Sequence, residues 1–424
     1  LSNYNLQIYL DEFEEFRNMA YRDGQWKKPI GEAKLEIVVG KADDPENQNQ
    51  MAVTYDFLNK GHLVIAGSIV SGKSTTVQTI MYSLIQKYSP EYVNMYAIDF
   101  SSKLTMAFEK APHVGGIMYE DDFEKISKFV TMMETIMEQR KAAFRGGNYK
   151  QYLQMHGPEF PAIIVFIDNY AAFKEKTEEL YENFVIRLSK EGASLGIYLV
   201  VTGASYGFAD ITARVGENIE NALCLQLQEK FSYVEFLHTP QIDIMPEAGI
   251  KGRGITVVED RILEYQVALA LEAENDYQRM ERIEDVCEDM LEAWDGECAR
   301  KIPEIPEKPV WSQFIQQAGQ YQKLEKDKLP IGYDKNSANV YSLSLKDFFC
   351  YLVCGFGRTG KTNFMRVMIQ SALLKDSQIC IVDSPKRELK LFANEEKVTY
   401  LTEEAEITAY VKEQLLPTFA KRNN

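Results

Sequence analysis

Gly67-Ser68-Ile69-Val70-Ser71-Gly72-Lys73-Ser74 follows the apolar run His62-Leu63-Val64-Ile65-Ala66 and opens an amphipathic stretch from Ser74 to about Gln86. The pattern Gly-x4-Gly-Lys-[Ser/Thr] after a strand and before a helix is a phosphate-binding loop. Glycines let the backbone curl so that successive N–H groups face an anion, and the helix that starts there adds the positive end of its dipole. Lys73 is the mobile cation for the β/γ-phosphates, and Ser74 is the hydroxyl that would ligate Mg²⁺. Gly67, Ser68, Ile69, Val70, Ser71, Gly72, Lys73, Ser74 and the following Thr75 are therefore candidate nucleotide contacts.

A second copy, Gly355-Phe356-Gly357-Arg358-Thr359-Gly360-Lys361-Thr362, follows Cys350-Tyr351-Leu352-Val353-Cys354, read as a strand, and precedes a helix from Asn363 to about Leu374. Its residues, with Asn363, form a second candidate cradle, and Thr362 is its metal hydroxyl. Two copies in strand–loop–helix context are an internal repeat rather than a chance glycine-rich turn.

Between the copies, strand-like runs alternate with helical ones. Tyr92–Asp99, Pro161–Asp168, Gly196–Thr202 and Asn221–Leu227 read as strands. Phe123–Ala143 and Glu178–Lys190 read as helices. This alternation predicts an α/β fold with a mostly parallel central sheet flanked by helices, and ligands at the strand C-termini. Upstream, Asn3–Arg22 reads as an acidic lead-in helix, and Leu35–Gly40 with Met51–Phe57 as a hairpin. Glu272–Glu297 holds eleven acidic residues and two basic ones, with Tyr277, Met280, Ile283, Cys287, Met290 and Trp294 as an apolar stripe. That pattern fits a surface helix packed on its own domain, or a helix that docks a partner. Lys301–Pro309 is a proline-spaced linker. The division expected is a complete module over 1–300, a linker over 301–330, and a second module over 331–424 that stops before its acid-ended central strand.

At 424 residues the chain has room for more than one core. The net charge of −16 argues against nucleic acid as a partner. Six cysteines and four histidines show no metal spacing, and Cys224, Cys350, Cys354 and Cys380 read as reduced core residues of a cytoplasmic protein. No apolar run approaches the ~20 residues that span a bilayer. The chain starts at Leu1 rather than Met and reads as part of something longer.

Hydrolysis needs more than a cradle. A carboxylate must hold Mg²⁺, a base must act on the attacking water, and a cation must face the γ-phosphate. Asp168, ending an apolar strand, fits the first role. Asn169 follows it where a motor would carry glutamate, and an amide can orient a water but not accept its proton. The base could otherwise come from Asp99 or from a neighbouring subunit.

Further residues carry a family resemblance. Val39–Gln48 resembles the Gly-x-x-Asp-x-Pro-x-x-Gln entry of FtsK/SpoIIIE-type ATPase modules. Ala97–Glu109 and Asp383–Leu391 resemble their Ile-Asp-Pro-Lys segment, Ile164–Asn169 their Walker B strand, and Ser194–Val201 their Gly-Ile-His-Leu strand. Tandem modules with a proline-containing linker resemble one branch, the membrane-anchored ATPases of type VII secretion (EssC/YukB/EccC type). The resemblance implies ATP and Mg²⁺ as cofactors. It implies a place at the cytoplasmic face of the membrane, in a hexameric assembly with other secretion subunits. Its implied substrates are small secreted helical-hairpin proteins with a Trp-x-Gly motif. It also places the family's catalytic glutamate at Asn169, its sensor glutamine at Ala204 and its trans-acting arginine at Val234. These departures imply a module that binds ATP and hydrolyses it poorly. A fully active motor and an FtsK-type DNA translocase are the alternatives. An ABC transporter cassette is disfavoured, because no Leu-Ser-Gly-Gly-Gln signature follows either loop.

Overall fold

Ten strands build one sheet: β1 (Glu36–Asp44), β2 (Asn49–Asp56), β3 (Leu63–Ala66), β4 (Val93–Asp99), β5 (Val114–Met118), β6 (Ala162–Asp168), β7 (Ile197–Gly203), β8 (Asn221–Leu225), β9 (Arg253–Val258) and β10 (Arg261–Val267). Their order is β2-β1-β10-β9-β8-β3-β7-β6-β4-β5. This computed structural model describes residues 7–28, 33–306, 308–321, 327–335, 338–347, 350–375 and 377–422. The chain divides into two units, 1–302 and 303–424.

In the first unit β8, β3, β7, β6, β4 and β5 run parallel. Every residue of β3, β4, β6 and β7 is buried, because helices cover both faces of these central strands. The antiparallel strands β9, β10, β1 and β2 extend the sheet on the β8 side. There β10 alternates buried and half-buried residues, as a strand does when one face meets water. Only β1 and β2 of this extension were legible as a hairpin. Strands β5, β9 and β10 were not foreseen. In β5 the run Val114-Gly115-Gly116-Ile117-Met118 holds two glycines, which are poor strand formers, yet each sits close against a neighbour. A Cβ on Gly115 would lie 2.2 Å from the Tyr96 ring, and one on Gly116 2.5 Å from Ile302. The chain at 299–302 hydrogen-bonds back along this edge strand, through Ala299 N–H to Pro112 and Ile302 N–H to Gly115.

Register sets the site. Asp99 pairs with Asp168 across β4 and β6, and Ala66 with Gly203 across β3 and β7. The ends of four strands thus face the crevice where the loop after β3 enters the helix Lys73–Lys87.

Several sequence expectations need correction. The lead-in is not one helix: the described residues give two short turns, Leu10–Glu12 and Glu14–Arg17, with Phe13 extended between them. Leu10, Phe13 and Phe16 are each buried in the core, and Leu10 N–H is drawn to Leu269 O at 3.1 Å, which takes the chain out of a continuous helix. Residues 3–6 of that expectation lie outside the described residues, as do residues 307 and 322–326 of the expected linker. The second predicted helix starts late, at Glu182, because Glu178 and Glu179 adopt positive φ in a turn. The acidic helix spans Asp276–Ala293 and buries Ile283, Cys287 and Met290 against its own domain, while Tyr277 is 72% exposed and off that stripe.

In the second unit, β11 (Lys328–Tyr333) and β12 (Val340–Ser344) form a hairpin, and β13 (Ile379–Val382) pairs in parallel with β14 (Val398–Leu401). The stretch Cys350–Cys354 joins no ladder among the described residues. In the first unit the equivalent β3 is held by a strand on each side. Lacking such partners, Cys350 and Cys354 are exposed, and Cys380 in β13 is exposed too, so only Cys224 of the four is a core residue.

Candidate nucleotide-binding site

The first loop is curled as its sequence requires. Val70 has φ 66° and Gly72 φ 109°, so the chain turns through left-handed geometry twice within three residues. Gly67 N–H donates to Gly203 O at 3.0 Å and Ser68 N–H to Gln226 O at 2.8 Å, which anchors the loop to the ends of β7 and β8. A Cβ on Gly67 would lie 2.3 Å from Ser71 Oγ, so this position admits no side chain without opening the curl. Lys73 folds back over the loop and donates from Nζ to Gly67 O at 2.7 Å and Ser68 O at 2.8 Å. Burial pushes its ammonium pKa down, against the pull of Asp168 and Asp210.

Asp168 ends β6 almost fully buried. Its Oδ1 accepts from Thr202 Oγ1 at 2.7 Å, and its Oδ2 has no hydrogen-bond partner among the described residues. Ser74 stands close enough to lower the carboxyl pKa without closing an ordinary hydrogen bond on Oδ2; its hydroxyl lies 3.0 Å from Ser101 Oγ. Burial dominates and raises the Asp168 pKa, and Asp99 adds to it. An orphaned buried carboxylate oxygen beside a serine hydroxyl fits a hard divalent cation with oxygen ligands. Ser74 and Asp168 are the residues that would hold Mg²⁺ here, and the curled amides with Lys73 would hold the phosphates.

Asn169 takes φ 69°, a left-handed position that asparagine tolerates better than most residues. Its backbone N–H donates to Thr202 Oγ1 at 2.8 Å. Its side-chain Nδ2 donates to Phe100 O at 3.0 Å, and its Oδ1 accepts from Ala172 N–H at 3.3 Å, capping the helix Tyr170–Lys176. Both ends of the amide are committed to the fold. Asp99 is equally occupied: it accepts from the N–H groups of Ser101, Lys103 and Thr105 and from Thr105 Oγ1 at 2.6 Å. It shapes the turn after β4 and is not a free base.

The remaining sequence candidates fall as follows. Ala204 offers only its N–H, which donates to Asp210 Oδ2 at 2.5 Å. Val234 packs half-buried against the core from the helix Lys230–Phe236. Two residues that sequence reasoning missed border the site. Asp210 ties the backbone of Ala204 and Ser205, and its other oxygen is buried without a partner among the described residues. Lys251 precedes Gly252, whose N–H donates to Ser71 O at 2.8 Å. Neither carries a local signal: each is one charged residue in a polar loop. The crevice has two lobes. One, of about 380 Å³, is lined by Val70, Lys73, Ser74, Ser101 and Asn169. The other, of about 350 Å³, is lined by Gln7, Gln266, Leu269, Asn275 and Arg279. Gly72, Thr75, Lys251 and Asp276 border both.

The second loop repeats the curl, with Arg358 at φ 64° and Gly360 at φ 94°. Lys361 Nζ donates to Gly355 O and Phe356 O at 2.7 Å each, and Thr362 Oγ1 to Glu388 Oε2 at 3.3 Å. Asp383 accepts from Ser384 N–H, Leu389 N–H and Tyr400 OH at 2.8 Å each, a turn-shaping role like that of Asp99.

Residues 19–158 match the FtsK/SpoIIIE family. Over 383 residues the chain is 28% identical to the ESX secretion system protein EccC of Geobacillus thermodenitrificans, covering 88% of this chain and 25% of that protein. It is 27% identical over 318 residues to the type VII secretion system protein EssC of a Staphylococcus aureus strain, covering 74% of this chain and 21% of the relative. The chain thus spans about a quarter of the length of the curated relatives it matches. Among solved structures, EssC ATPases 2 and 3 from G. thermodenitrificans superpose with a TM-score of 0.79 at 23% identity, covering 100% of this chain and 77% of that one. Thermomonospora curvata EccC ATPases 2 and 3, solved in complex with a signal sequence peptide, superpose at 0.67 with 21% identity, over 97% and 75%. At these identities the superpositions establish the fold alone: a large, mostly parallel central sheet with flanking helices, as in those ATPase modules.

Proposed function

We propose, from the premise that this chain carries an FtsK/SpoIIIE domain and has EccC, EssC and YukB secretion ATPases as its relatives, that its first unit keeps ATP–Mg²⁺ as a bound ligand and hydrolyses it poorly. The observation that carries this reading is Asn169. The position that needs a proton acceptor holds an amide whose two ends are already hydrogen-bonded to Phe100 and Ala172. The cradle beside it is intact. Gly67, Gly72 and Lys73 hold and neutralise the phosphates, Ser74 and Asp168 hold the cation, and the lobe beside Gln266 and Leu269 takes ribose and base. When bound, the cation would screen the phosphate charge; in this reading neither Asn169 nor Asp99 then draws the proton from a water, since both are committed to the fold.

In this reading the chain is the cytoplasmic ATP-binding part of a membrane-anchored type VII secretion ATPase. Nucleotide occupancy supports docking of secreted helical-hairpin substrates, in a hexameric assembly with the other secretion subunits. The signal-peptide complex of T. curvata EccC supports recognition of a secreted protein's signal sequence. The second cradle, Gly355–Thr362, shares the curl and is proposed to bind nucleotide as well, Thr362 exchanging Glu388 for the cation.

Nucleotide affinity and turnover, measured separately on this chain and on Lys73→Ala and Lys361→Ala, test the reading. The expected outcome is Mg-nucleotide binding that drops with each lysine, and turnover near the buffer rate. Turnover of about 1 s⁻¹ or more, at the low end of ordinary enzyme rates, abolished by Lys73→Ala, would overturn it in favour of a working motor.

A further inference from the structure

We propose that Lys251 is a second phosphate-facing cation, supplied in cis, that leaves Asp276 for the nucleotide when the cradle fills. The inference rests on the first unit being a nucleotide site and adds a residue that the motif does not contain.

Backbone geometry puts Lys251 there. Gly252 N–H is bonded to Ser71 O inside the loop, so the Lys251–Gly252 segment is fastened to the crown of the cradle. A Cβ on Gly72 would lie 3.4 Å from Lys251 Cγ and 3.1 Å from Gly252 N. The aliphatic stem of Lys251 therefore passes over the residue that opens the phosphate-binding helix. Lys251 borders both lobes of the crevice, the one assigned to the phosphates and the one assigned to ribose and base.

Its present partner is weak. Lys251 Nζ lies 3.6 Å from Asp276 Oδ2, and both side chains are about half exposed. Such a pair is worth little in water. Asp276 also pairs with the buried Arg279 through Oδ1. Asp276 therefore keeps a cationic partner after Lys251 departs. A triphosphate brings several negative charges to the same spot, and a charge-assisted hydrogen bond to a phosphate oxygen is the stronger contact. The exchange also has a logic within this unit. Where the resemblance expects a trans-acting arginine, Val234 is packed half-buried against the core. A lysine from its own chain neutralises phosphate without a neighbouring subunit, and it acts on the bound ground state rather than on cleavage.

The test compares Mg-ATP affinity, by calorimetry, for the chain and for Lys251→Met, Lys251→Arg and Asp276→Asn, each carrying Lys361→Ala to silence the second cradle. One hydrogen bond to a charged group predicts that Lys251→Met weakens binding about tenfold. Lys251→Arg should stay within about threefold, and Asp276→Asn should tighten binding by freeing the lysine, with the salt dependence of binding reduced only in Lys251→Met. Lys251→Met binding within twofold of the parent, or Asp276→Asn weakening it, overturns the assignment. A parent that binds no Mg-ATP at all overturns the nucleotide-site reading itself, which keeps the two failures apart.

Discussion

The Asn169 amide donates to the Phe100 carbonyl at 3.0 Å, joining the end of β6 to the turn after β4 directly beside the phosphate loop. Asn169, which the proposed function sets at the position of a proton acceptor, is thus a brace of the crevice wall. Replacing it is structural as well as chemical. Asn169→Ala removes a helix N-cap, worth about 1 kcal/mol, and keeps a Cβ in left-handed geometry without the local hydrogen bonds by which asparagine tolerates it. The expected loss is therefore roughly 1–2 kcal/mol in urea unfolding. Asn169→Gly, which relieves the backbone strain, should lose clearly less. Equal losses for the two would show that φ at this position is not a constraint.

Asp168 should be a residue whose removal strengthens the empty protein and ruins its site. Its folded pKa is raised by burial, so the charged form is disfavoured in the native state. A raised carboxylate pKa means the native state holds its proton more tightly than the unfolded chain. The stability penalty is then full at neutral pH and relieved as pH falls through the raised value. Asp168→Asn should raise the unfolding free energy at pH 7 by about 1–3 kcal/mol, the cost of an unsatisfied buried charge, and flatten that pH dependence. The same variant should lose Mg²⁺-dependent nucleotide affinity. A loss of stability at pH 7 would contradict the buried, unpaired oxygen.

Two buried histidines should weaken the first unit in acid. His62 accepts from Leu199 N–H at Nδ1, His113 sits 2.7 Å from Tyr88 O through Nε2, and each has its other ring nitrogen buried without a partner among the described residues. Burial holds both pKa values down to about 4. Below the ordinary histidine pKa the unfolded chain takes up protons that the native state refuses. Stability therefore falls as pH drops from about 6.5 to about 4, by roughly 3 kcal/mol for each ring. Chemical unfolding across that range should show the slope, and His113→Gln should remove about half of it. An unchanged slope in the variant would rule out His113 as a source.

The sequence was most legible where function and local structure coincide. The two phosphate loops, the acid at the end of β6 and the apolar central strands follow from residue type and spacing, since a fully buried parallel strand must be apolar throughout. The antiparallel half of the sheet was harder. Strands β9 and β10 carry a weak alternating pattern, and only their pairing with β8 and β1 gives it meaning. Strand β5 was hidden because its glycines serve Tyr96 and Ile302, residues distant in the chain. Cys350–Cys354 misled in the opposite sense: an apolar run predicts a strand, but a strand needs neighbours to bond it.

By itself, the sequence determined that this protein carries two phosphate-loop motifs and that an amide follows Asp168. Those facts are local, because a curled loop and a strand-ending acid are specified by adjacent residues. Only the tertiary structure decided that the Asn169 amide is occupied at both ends, that Asp99 shapes a turn, that Asp210 ties Ala204 and Ser205, and that Lys251 reaches the crevice. Those contacts join residues far apart in the chain. Which charge meets which hydrogen-bonding group there is fixed by strand order and register, and no local pattern encodes them.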